Sequence, residues 1–183
     1  MFTEEELVNF QKYFDMSLAA DEDYPSLEKE TIPVAFLEEK FSVKDDIIFP
    51  EVNGKFYYNE STGFQASVFL ENVSPAAIDL TIAFAPAKPG DSGDGNNEIN
   101  IFNRNIPSQF NDAFDFYKNV LSYYSQLYPS KEININFTGW SLGGALAQLI
   151  AICTDSKATT YSSPTLKNLI IKWKNLTIKE ARF

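Results

Sequence analysis

The stretch "FTGWSLGGALAQLIAI", Phe137 to Ile152, decides the fold of this 183-residue chain. It sets Ser141 between Gly139 and Gly143, with Gly144 following, in the pattern G-x-S-x-G. The run "ININFT" before it has the apolar alternation of a strand, and "LGGALAQLIAI" after it is a small-faced apolar helix. A serine at such a strand-to-helix junction occupies a strained turn, and the flanking glycines lack the Cβ atoms that would clash there. The turn lifts the serine Oγ into the open. A helix that starts directly behind it aims unbonded N–H groups and the positive end of its dipole at that oxygen, so the Leu142 N–H becomes a donor for a developing oxyanion.

The surroundings extend this strand–turn–helix unit in both directions. Upstream, Phe110, Ala113, Phe114, Tyr117, Val120, Leu121, Tyr124 and Leu127 recur at helical spacing until Pro129, which predicts a helix over 108–128 whose aromatic stripe packs the core. The nearly continuous apolar run from Ala77 to Ala85 predicts a strand buried on both faces. Downstream, "KATTYSS" predicts a further strand. Strand, helix, strand, helix, strand in this order makes a parallel α/β core. Before it, residues 55–73 hold β-branched and aromatic runs with turn residues at 59–63 and 72–75, which predicts strands in hairpin order.

The first 54 residues read as helical. Thr3 and Glu6 form a capping-box pattern ahead of Leu7, Phe10, Phe14 and Leu18, predicting an amphipathic helix over 3–20. A second helical stretch, "SLEKETIPVAFLEEKF", is broken by Pro33. Both are expected to cover one side of the sheet. The predicted organisation is one domain over 1–183, with a helical part over 1–54 and a sheet core over 55–183. The Gly-, Pro-, Asp- and Asn-rich segment from Asp91 to Arg104 is long enough to act as a lid. Asp94, Asn96 and Glu98 within it match only a fragment of a calcium loop.

Composition narrows the function classes. Sixteen Phe and nine Tyr supply ample core material, and a formal charge of −10 with scattered Lys and Arg argues against a nucleic-acid surface. The opening "MFTEEELVNF" is acidic where an export signal is basic, and no apolar run reaches the roughly 20 residues of a membrane span. The expected compartment is therefore the cytoplasm by default. Cys153 is the only cysteine and there is no histidine, so the usual ligands of a zinc site are missing and neither a metal nor another cofactor is expected. Cys153, on the helix after Ser141, is expected to be a small core residue rather than a reactive thiol.

With these residues in place, the chain resembles the class 3 lipases of the α/β-hydrolase superfamily. Their T-G-H-S-L-G-G-A-L-A is matched here from Thr138 to Ala147. "AIDLTIAFAPA" is similar to their strand ending in V-A-F-R-G-T, and "ATTYSSPTL" to their T-F-G-S-P-R. The resemblance spans residues 64 to 166. It implies an α/β-hydrolase-like fold with a mostly parallel central sheet, an antiparallel hairpin region and flanking helices. It also implies a lipase or esterase whose nucleophile is Ser141, acting on an ester or lipid substrate with transient contact to a lipid surface.

The chain departs from that pattern in three places. Trp140 stands where the family commonly has histidine, next to the nucleophile, as pocket wall or core. Ala85, Pro86 and Ala87 replace R-G-T; proline has no N–H, so the second oxyanion donor falls to the Ala87 backbone. The family's acid and histidine have no counterpart after Ser141, where Asp155 and Glu180 are the acids. Neither Lys157 nor Lys167 carries a sign of the desolvation that a base lysine needs. The expectation is a hydrolase domain that is C-terminally incomplete and inactive as this chain alone, the alternative being a lipase-fold binding or scaffold module without catalysis.

Overall fold

A computed structural model describes residues 3–20, 27–45, 55–87, 106–164 and 166. Helix α1 spans Glu4–Ala19, starting on the expected capping box: the Glu6 N–H donates to the Thr3 hydroxyl, and the Thr3 N–H donates to the Glu6 carboxylate. The second helix is not formed. Residues 27–33 have no regular structure and only a single 3-10 turn, Val34–Phe36, follows. Pro33 disfavours helical backbone at Ile32, and Thr31 and Ile32 are β-branched, so the pattern breaks before a second turn can close. A short strand that the sequence pattern did not mark, β1 (Ser42–Asp45), comes next.

Strands β2 (Lys55–Asn59), β3 (Phe64–Val73) and β4 (Ala77–Phe84) then form an antiparallel series with β1. Helix α2 (Gln109–Leu127) precedes β5 (Glu132–Trp140), and helix α3 (Leu142–Thr154) precedes β6 (Ala158–Tyr161). The six strands lie in sequence order, with β4, β5 and β6 parallel. The sheet is therefore mixed rather than mostly parallel, since three of its five pairings are antiparallel. The cause is connection length. Residues 60–63 and 74–76 are too few to carry a chain back to a parallel start, whereas a helix fills each of the two later crossovers.

The strand alternation sorts the core into two sides. On one, Ile78, Leu80, Ile82 and Phe84 of β4 meet Ala113, Phe116, Val120 and Tyr124 of α2 and Leu146 and Ile150 of α3. Phe116, absent from the predicted stripe, is fully buried there, while Leu127 ends it exposed. On the other side, Met16 and Ala19 of α1 and the capping Ala20 pack on Phe69, Ala83 and Ala85. A β-bulge between Leu70 and Asn72 turns Glu71 toward α1, where Lys12, Tyr13 and Thr81 all bond its carboxylate. The start of α1 continues past the sheet. Leu7 is 56% exposed and Phe10 52%, so half of the expected apolar stripe stays largely open, with Phe10 reaching only the Tyr161 ring at the end of β6.

Two phenols, Tyr57 buried and Tyr13 half-buried, tie the layers together. The Tyr57 hydroxyl donates to the Glu30 carbonyl and accepts from the Ile32 N–H, and burial pushes it up to about 12. Burial, and then the Glu71 carboxylate, push Tyr13 up to about 12 as well. Because the folded values lie above the unfolded value of roughly 10, the neutral phenols favour the fold fully below pH ~10 and lose that contribution as pH rises toward 12. The urea midpoint, followed by circular dichroism, is expected to hold up to pH 10 and fall steadily between pH 10 and 12.

Candidate functional site at the β5–α3 turn

Between Trp140, the last residue of β5, and Leu142, the first of α3, Ser141 adopts φ 50° and ψ −117°. A serine is held there only when the surroundings over-determine the backbone. They do so through three contacts. The Ser141 N–H donates to the Tyr161 carbonyl at the end of β6 (2.9 Å), and its own carbonyl accepts from Ala145 (3.1 Å) as the first bond of α3. The third is steric. A Cβ on Gly143 would lie 2.1 Å from the Phe84 carbonyl oxygen, and one on Gly139 would lie 2.3 Å from the Gly143 carbonyl carbon. Helix α3 thus starts in backbone contact with the end of β4, a distance that no other residue type permits.

Gly144 completes the close packing on the side of β6, where an added Cβ would meet Ser163 at 2.8 Å. Gln148 donates to the Ser163 and Thr160 hydroxyls and fixes the chain after β6 against α3. Ser162, between them, is also left-handed, at φ 47°. The pattern T-F-G-S-P-R has glycine at that position, which needs no strain to take this conformation.

Ser141 is half-buried, and the side chain of Leu142 is fully buried beneath it with Ala145, Leu149 and Leu166. Ala87, just past the end of β4, packs against that same cluster. The Leu142 N–H, at the first position of α3, has no partner within the helix, because the first turn of any helix leaves its N–H groups unbonded internally. Trp140 is half-buried and lies on the ring of Phe14, with centroids 5.5 Å apart.

Among the described residues, the remaining candidates do not converge on Ser141. Asp155 is the exposed, left-handed residue that closes α3 at its far end, about 20 Å along the helix. Lys157 is exposed at the start of β6, opposite the strand end that carries the turn. Glu180, Lys167, the calcium-like Asp94, Asn96 and Glu98, and the proposed lid from Asp91 to Arg104 lie outside the described residues. Cys153 is exposed, not core, although burial of part of its surface still raises its thiol. Helix α3 is apolar on nearly every side, so periodicity alone did not tell that its last turn, with Ile152 and Cys153, faces outward.

Tyr161 and the aromatic rings of α1 were missed by sequence reasoning. The α1 rings meet Trp140 and Tyr161 from more than a hundred positions away, and no local pattern signals that. Ser162 did leave a signal, the serine in place of the motif's glycine.

A family model described as "Phospholipase-like: Tle-like phospholipase domain" matches residues 16–182. No curated protein and no solved structure matches the chain significantly. The family found is phospholipase- or lipase-like, and not specifically the class 3 lipases.

Two substitutions test the turn. Gly143→Ala is expected to cost about 3 kcal/mol or more, because a methyl group cannot be placed against the Phe84 carbonyl without moving a strand. Ser162→Gly is expected to stabilise by about 0.5 kcal/mol, the ~1–2 kcal/mol of left-handed strain less the ~0.5–1 kcal/mol of added chain entropy. Urea unfolding midpoints measure both.

Proposed function

We propose that this chain, which belongs to the family of Tle-like phospholipase domains, carries the nucleophile of a serine hydrolase acting on carboxylic esters of lipids, and that Ser141 is that nucleophile. The observation that carries the reading is the backbone of Ser141, φ 50° at the junction of β5 and α3, with glycine where any Cβ would strike backbone. Strain of this kind has a use when it presents a side chain for attack.

In this reading the Ser141 Oγ attacks the ester carbonyl carbon and gives its proton to a general base. The tetrahedral oxyanion accepts from the Leu142 and Ala87 N–H groups, the alcohol leaves with the proton, and water then hydrolyses the acyl-serine. Gly139, Gly143 and Gly144 allow the turn, and Trp140 stands beside it as pocket wall. The chain holds no histidine, so an imidazole base has to come from outside these 183 residues, and the chain alone is inactive. The same absence, with Ala85, Pro86 and Ala87 at the second oxyanion position, favours the alternative of a lipase-fold binding module without catalysis. No cofactor or metal enters either reading.

Labelling with a fluorophosphonate probe, followed by peptide mass spectrometry, separates the two. The complete gene product is expected to give an adduct at Ser141 that Ser141→Ala abolishes. The isolated 183-residue chain is expected to label slower by a factor of about 10⁴, the order lost with a triad member. Absence of any Ser141 adduct in the complete gene product overturns the hydrolase reading in favour of the binding module.

A further inference from the structure

Helix α1 reaches the strand ends on which the Ser141 turn rests. Met16, Ala19 and Ala20 lie against Ala83 and Ala85, at the end of β4 where α3 makes its backbone contact. Phe14 lies on Trp140, the residue before Ser141, and edge-on to Tyr161, with centroids 5.5 and 5.1 Å apart. Phe10 is also edge-on to Tyr161, at 5.1 Å.

Tyr161 is held at both of its polar ends. Its carbonyl accepts the Ser141 N–H, and its hydroxyl donates to the Phe10 carbonyl of α1. A shift of α1 therefore moves the acceptor that fixes the left-handed serine. The phenol keeps its proton through the whole neutral range, since burial and then the Asp15 carboxylate push it up to about 12. Phe10 and Phe14 both precede residue 16, where the match to the family model begins.

We infer that α1 is the positioning element for Ser141: the Phe10, Phe14, Tyr161 and Trp140 cluster clamps the two strand ends that hold the serine's backbone, and α1 sets how rigidly its Oγ is presented. Phe14 and Tyr161 are positioning residues in this scheme. They touch the frame of the turn and not the ester. The inference rests on the proposed role of Ser141 only for its kinetic consequence, because the clamp itself is a backbone property.

The test is amide hydrogen exchange of the full 183-residue chain, read at the Ser141 N–H, with Tyr161→Phe, Phe14→Ala and, as a control on the overhanging turn of α1, Leu7→Ala. Tyr161→Phe keeps the ring and removes only the hydroxyl bond to Phe10. It and Phe14→Ala are expected to speed exchange at Ser141 about tenfold while β4 keeps its protection, and Leu7→Ala to change nothing. Phe14→Tyr, which restores the ring, is expected to restore protection. Unchanged exchange at Ser141 in both folded variants overturns the clamp. So does an equal loss across β4, which makes the effect global.

In the complete gene product, the maximal rate of fluorophosphonate labelling is expected to fall about tenfold with unchanged probe affinity in the same two variants. If the parent protein gives no Ser141 adduct, the hydrolase reading fails while the exchange result still decides the clamp.

Discussion

The backbone contact between the first turn of α3 and the end of β4 is the constraint on which the rest of the structure depends. A hydrogen at position 143 is all that fits against the Phe84 and Ala85 carbonyls. With α3 pressed that close, the chain leaving β5 has a single residue in which to turn from strand into helix, and that residue is Ser141. The left-handed backbone of Ser141 follows from the geometry of its neighbours. The parallel pairing of β4 with β5 along eight residues, Ala77 to Phe84, sets the height at which the contact forms. The stacked rings of Phe84 and Phe137, 6.1 Å apart, hold the two strands level beneath it.

Around that contact the molecule is built asymmetrically. One side of the sheet carries α2 and α3 on a continuous apolar core, where each large side chain removed would cost several kcal/mol. The other side carries α1 on a smaller patch, supplemented by the Glu71 carboxylate and the Thr138 hydroxyl, which donates to the Tyr13 carbonyl at 3.1 Å. Polar contacts of this kind fix direction more than they add stability. They aim α1 across β4, β5 and β6 at the level of the strand ends.

How much of this was legible depended on how local the cause was. The β5–α3 turn was legible because glycine, serine and glycine impose it within five residues. The α2 helix and the buried β4 strand were legible because periodicity and apolar density are properties of one segment. The failures have equally definite origins. The acidic run around Glu38 and Glu39 looks helical by composition, yet Pro33 and the β-branched pair before it leave only one turn. β1 has neither alternation nor aromatics to announce it, and it exists because β2 offers it a partner. Cys153 was misplaced because an all-apolar helix hides which side is buried. At the site, the turn at Ser141 was legible, and its support by Tyr161 and α1 was not, since that support is tertiary.

The strand order carries a consequence for how the molecule assembles. Each strand pairs with the one immediately before it in sequence, so the sheet can grow by neighbour addition as the polypeptide is made, without waiting for distant segments. Helix α1 is the exception. Its bonds to Thr138 and Tyr161 span 125 and 151 residues, so α1 finds its place only after β5 and β6 have been made. Loop closure over such a length comes late in folding. The serine turn is therefore finished by α1 returning to β6, and a nascent chain short of β6 carries the G-x-S-x-G sequence without yet carrying its geometry.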